Sequence, residues 1–231
     1  MITTTKMKQT ALLKNVVNQI NLNETVNELL KQAHDGDAFA HAALGISFLN
    51  GDYDRIDAQT AVSWIELFLK ENGPSKDWAI FSEAVGICYF EEIGKKANNK
   101  KAFEHLEVAA KFNRPVATYY LADFYLEGIG TKADPKKAFK LYTEAAKKIK
   151  TEPLIFLKLG NLYYSKKDLL QAKKMYEKAS KLGSDDASFN LISLLSEMGK
   201  LTKKSLSLAQ TLIASDHPQK AKLKKLLSKT L

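Results

Sequence analysis

One cysteine, four histidines and a Gly-x-Gly loop are the residues with the means to do chemistry, and none keeps the company that chemistry needs. Cys88 is the single thiol. A cysteine nucleophile needs a partnered base, and His105, the next histidine along the chain, comes with no supporting motif. Cys88 falls on the apolar stripe of a predicted helix, so it is expected to be a buried structural thiol. His34, His41, His105 and His217 show no H-x-x-x-H or C-x-x-C ligand spacing, and no metal is expected. Gly128-Ile129-Gly130 lacks the Gly-Lys-Ser/Thr continuation of a phosphate loop and follows a helix rather than a strand, which makes it a helix–helix turn. No serine elbow or paired carboxylate set stands out either. The chain is read as non-enzymatic, with no catalytic residue, cofactor or small-molecule substrate.

Composition bounds the rest. A lone cysteine rules out an intramolecular disulfide framework and suits a reducing compartment. No window approaches the roughly 20 apolar residues of a membrane span. Met1 to Asn23 is polar and has no apolar signal core ahead of Asn15 and Asn18. A cytoplasmic location is expected, and export by a signal-less secretion system stays open. The formal net charge is +9, unevenly placed: Lys200 to Leu231 carries eight lysines against one acid, Asp216. A global nucleic-acid binder would spread its lysines along the working face.

The elements that would position any site repeat along the chain. Gly45, Gly86, Ala122 and Gly160 are separated by 41, 36 and 38 residues. An alanine follows each of the first three at an offset of sixteen, at Ala61, Ala102 and Ala138. A fixed period of this length means stacked supersecondary units, each too small to bury its apolar stripe alone. Every unit reads as two antiparallel helices, A then B. In the third, Pro115 opens helix A, and Ala117, Tyr120, Leu121, Phe124 and Tyr125 follow the amphipathic period. Gly128 and Gly130 end it, Asp134-Pro135 caps helix B, and Ala138, Leu141, Tyr142, Ala145 and Ala146 form its buried stripe. The fourth unit shortens the offset to twelve, Gly160 to Ala172, which is the tetratricopeptide spacing. Unit five, around Ala187, Leu191, Leu194 and Leu195, is degenerate. Ahead of unit one, Glu24 to Ala33 reads as a B helix that Ala11 to Ile20 would partner.

The stretch Ala117-x-x-x-Leu121-Ala122-x-x-Tyr125-x-x-Gly128-x-Gly130-x-x-x-Asp134-x-x-Lys137-Ala138-x-x-x-Tyr142-x-x-Ala145-Ala146 resembles the Sel-1-like repeat, the longer-looped cousin of the tetratricopeptide repeat. Ala122 replaces the usual glycine, and units one and two lack the full Gly-x-Gly loop. The resemblance implies an all-α, right-handed α-α superhelix of about five helix-turn-helix repeats plus terminal helices. It divides the chain into N-terminal helices (1–36), a repeat array (37–217) and a basic C-terminal capping helix (218–231). It also implies an adaptor that holds a partner protein on the concave face lined by A helices.

In a tetratricopeptide-type A helix, that face takes the positions three before the central small residue and one, four and five after it. The expected groove residues are Asn50, Glu83, Phe90, Glu91, Tyr119, Asp123, Glu127, Asn161 and Tyr164. Carboxylates beside aromatic anchors suit a partner segment bearing Lys or Arg. Two further readings stand beside this one. The first is a bacterial secreted effector or virulence-associated scaffold. The second is a binder of anionic membrane or nucleic acid through the basic C-terminus, where Leu223, Leu226 and Leu227 line one side of a lysine-rich helix. The same helix also reads as a cap, because terminal repeats need a polar outer face.

Overall fold

The computed structural model describes residues 26–50, 56–215 and 217–228, the side chains of Val26 and Asn50 excepted. The segment Ala11 to Ile20 lies outside them. Among the described residues there are twelve helices and no strand. Val26–His34 (α1) precedes five A/B pairs. These are Ala38–Asn50 (α2) with Ala58–Asn72 (α3), Ala79–Glu91 (α4) with Asn99–Lys111 (α5), and Pro115–Glu127 (α6) with Pro135–Lys148 (α7). Pro153–Ser165 (α8) then pairs with Leu169–Lys181 (α9), and Asp185–Glu197 (α10) with Lys203–Ala214 (α11). Lys220–Ser228 (α12) closes the described chain. None of these helices is long and apolar enough to cross a membrane. The chain divides into two compact units, residues 1–141 and 142–231.

In the first unit the small residues of the repeat do what their size allows. Ala61, Ala102 and Ala138 are fully buried, and small side chains let helix axes approach to the low end of the 8–10 Å range. The central glycines serve the same crossing from the A side. A Cβ on Gly45 would lie 2.7 Å from the Ala61 carbonyl, and one on Gly86 2.8 Å from Leu106 Cγ. The predicted first-turn chemistry is present as well: Asp134 Oδ1 accepts from the Lys137 N–H at 3.0 Å, and Asn98 Oδ1 accepts from Lys101 N–H at 3.0 Å.

The A–B loops of the second and third repeats share one geometry, although only the third shows Gly-x-Gly. Glu92-Ile93-Gly94 takes the path of Gly128-Ile129-Gly130, with Glu92 at φ 59° where Gly128 has 71°. Ile93 N–H donates to the Cys88 carbonyl and Ile129 N–H to that of Phe124, both at 2.9 Å. The last residue of each triplet, Gly94 and Gly130, meets the first turn of the preceding B helix. A Cβ on Gly94 would strike the Ala58 carbonyl, and one on Gly130 the Asn99 carbonyl. A tyrosine–lysine bond braces each pair. Lys101 Nζ donates to Tyr89 Oη at 2.9 Å, and Lys137 Nζ to Tyr125 Oη at 2.6 Å.

The second unit is cored by Phe156, Tyr176, Ala179, Leu191, Leu194 and Leu195. Here Tyr176 fills the space over Gly160 that a side chain would occupy. At its end, Leu223 of α12 is fully buried beside Ile192, Ala209 and Leu212, with Lys220, Lys222, Lys224 and Lys225 exposed. His217 fastens the turn before α12. Its Nδ1 accepts from the Gln219 N–H at 3.1 Å, its ring stacks on Phe189 at 5.7 Å, and Nε2 lies 3.5 Å from Asp186.

Candidate protein-binding face

The expected groove residues divide by burial. Glu83 is the clearest correction: its side chain is fully buried, not turned to a groove. It accepts from Arg114 Nη2 at 2.6 Å and Nε at 3.1 Å, and its other oxygen accepts from the Ala117 N–H at 2.8 Å. That N–H belongs to the first turn of α6, where backbone donors lack intrahelical partners and negative charge is favoured. Glu83 of α4 therefore caps the next A helix in space. Burial pushes its carboxyl above the ordinary range, while Arg114 and the backbone bond pull the other way.

Two aromatic anchors are also taken up by packing. Tyr119 is 6% exposed and lies against Tyr120 at 5.4 Å. Phe90 is half-buried, its ring against Tyr120 at 5.9 Å and Phe124 at 5.0 Å on the next A helix. Toward the C-terminal ends of α4 and α6, Glu91 and Asp123 are half-buried and Glu127 is exposed. All three take part in contacts within the fold. The side chain of Asn50 lies outside the described residues.

In the second unit, Asn161 and Tyr164 are exposed on α8 and come together with residues of α10. Asn161 Oδ1 accepts from Tyr176 Oη at 2.8 Å and from Asn190 Nδ2 at 3.1 Å. The Tyr164 hydroxyl donates to Glu197 Oε2 at 2.8 Å. These side chains and Ser193 line a pocket of about 280 Å³. Burial pushes the Tyr176 phenol up to about 12, so it stays a neutral donor. Asn161 is thus held by Tyr176 and Asn190, and Tyr164 separately by Glu197.

Asn190, Ser193 and Glu197 escaped the sequence reading. Ser193 and Glu197 stand one and five residues after Ile192, the α10 counterpart of Gly160, and no small residue marks that position.

Cys88 is fully buried, and burial, followed by the Glu66 charge, pushes its thiol up to about 12. Among the described residues, no group of three or more His, Cys, Asp or Glu side chains is placed to hold a metal ion.

Helix pairs stacked in series, with small residues at most of their crossings, define a tetratricopeptide-like helical repeat protein. The Sel1 repeat sequence profile matches residues 38–71, 83–111, 115–148 and 157–184. The chain belongs to the Sel1 repeat family. Among solved structures it is similar to a Sel1 repeat protein from Oxalobacter formigenes, with a TM-score of 0.63 and 22% identity over 90% of this chain and 60% of that one. It is also similar to PilF of Pseudomonas aeruginosa, with a TM-score of 0.64 and 14% identity over 96% and 98% of the two chains. YrrB, described as a TPR protein with an unusual peptide-binding site, gives 0.60 and 15% over 87% and 98%. At these identities the likeness is one of fold, and this chain spans 60% of the length of the Oxalobacter protein. No curated protein matches the chain.

Proposed function

We propose that this chain is a non-enzymatic adaptor that holds a Lys/Arg-bearing segment of a partner protein against its A helices. The observation that carries this reading is the two hydrogen-bonded pairs Asn161–Asn190 and Tyr164–Glu197, which join neighbouring A helices and line one pocket. Pairs already held in place lose less side-chain freedom when a ligand arrives. Glu197, within the same unit, supplies negative charge that a basic segment would seek. The peptide-binding description of YrrB supports the same use of this fold.

The test is affinity purification from the native cell, followed by titration of the captured segment. Asn161→Ala with Tyr164→Ala should weaken binding at least about tenfold, and Glu197→Gln should weaken it and flatten its salt dependence. Both variants should melt close to the parent chain. Undiminished binding to the folded variants overturns the reading.

A further inference from the structure

A second opening in the 142–231 unit lies away from the polar pocket, between the B helices α9 and α11. Its floor is Leu191 and Leu195 of α10 with Leu208 of α11, and its volume is about 400 Å³. The rim carries Lys173 and Lys181 from α9, and Lys200 and Lys204 from the start of the α11 region. Lys173 is 3.5 Å from Glu177, the acid on this rim. Lys181, Lys200 and Lys204 are exposed and form no ion pair with the described residues. The trough follows from how α10 is shared. Its Leu191, Leu194 and Leu195 side packs on α9, while Ile192 holds Ala209 and Leu212 of α11. The two B helices therefore flank α10 and leave only the edges of Leu191 and Leu195, 8% and 7% exposed, with the half-buried Leu208 at the floor.

We propose that this trough binds an acidic amphipathic segment of a partner protein, with leucine-like side chains on the floor and Asp or Glu against the lysine rim. Charge decides the class. Three lysines without acidic partners repel a basic segment, and a neutral apolar one would leave them unused. Carboxylates relieve their mutual repulsion and steer association. The apolar floor asks for burial that a free anion cannot supply. The site also accounts for part of the lysine excess after Lys200, to which the A-helix face gives no role. It does not depend on the adaptor reading above.

A displayed library of random peptides, panned on the full chain, provides the probe. Enriched sequences should place Asp or Glu beside Leu, Ile or Phe, and synthetic versions should bind in fluorescence anisotropy with strong salt dependence. K181Q/K200Q/K204Q should lose at least about tenfold in affinity at an unchanged melting temperature. K76Q/K96Q/K100Q, which removes exposed lysines that line no part of the trough, should bind as the parent does. Leu208→Ala should weaken the same peptides and keep their salt dependence. The proposal fails if no acidic–apolar class is enriched, or if the folded triple variant binds undiminished. It also fails if the three lysines serve only capture of phosphatidylcholine/phosphatidylglycerol vesicles.

Discussion

Glu83 and Arg114 stand 31 positions apart in the chain and meet at 2.6 Å, the carboxylate wholly buried and the guanidinium mostly so. The pair joins the A helices of the second and third repeats, α4 and α6, and the acid also satisfies a first-turn N–H of α6. Breaking a buried pair from one side strands the other charge, at roughly 3–5 kcal/mol. Arg114→Ala should lower the unfolding free energy from urea titration by that amount, and Glu83→Gln, which keeps an acceptor for Ala117, by less. Parent-like stability of Arg114→Ala would remove the pair from any structural role.

Glu92 adopts a left-handed backbone where the equivalent loop position is Gly128. Non-glycine residues bear about 1–2 kcal/mol there. Glu92→Gly should therefore raise the unfolding free energy by about 1 kcal/mol after the added chain entropy of glycine is subtracted. A drop in stability would show that the Glu92 side chain contributes more than its backbone costs.

Gly94 combines positive φ with the Ala58 carbonyl in the path of any Cβ. Gly94→Ala should lose roughly 2–5 kcal/mol. Gly36→Ala, also at positive φ but with nothing within 4 Å, should lose only the conformational part. Equal losses at both sites would mean that the helix contact carries no cost.

His105 stacks on Tyr89 at 6.2 Å, and burial holds its imidazole below the ordinary histidine value. The unfolded chain takes up this proton near pH 6.5 while the folded chain does not. The unfolded state thus binds more protons as pH falls, and stability declines from about pH 7 downward. His105→Gln should flatten this limb when urea midpoints at neutral and mildly acidic pH are compared. Parallel slopes for both proteins would sink the assignment.

Cys88, fully buried with its thiol pushed up to about 12, should resist iodoacetamide in the native protein at mildly alkaline pH. It should react promptly in guanidinium chloride, and mass spectrometry of the adduct reads both states. Rapid native labelling would contradict the packing around α4.

Periodicity alone revealed the paired helices, because buried alanines at Ala61, Ala102 and Ala138 and glycines at Gly45, Gly86 and Gly160 answer directly to how closely helices cross. Burial depth was not readable in the same way. The offset that assigned Glu83 to a groove gives a helix face but says nothing of what covers it. The signal was Arg114, one of two arginines among many lysines and set just before Pro115. The second loop was obscured because glutamate replaces glycine at 92, although the backbone path is kept. Asn161 and Tyr164 follow from their offset to Gly160, which assigns them to one helix face. Asn190, which has no residue-type cue, emerged only when α8 and α10 were seen side by side.

α4 is gripped from both directions: Glu83 reaches forward to α6, and the loop at Gly94 sits on the opening turn of α3. Axial sliding of that helix would have to break an ion pair at one end and drive backbone into backbone at the other. Curvature in this unit is thus set when the chain folds. A segment docking on these A helices would meet a surface with little left to freeze, so its selection would follow the fit of side chains rather than the remoulding of helices.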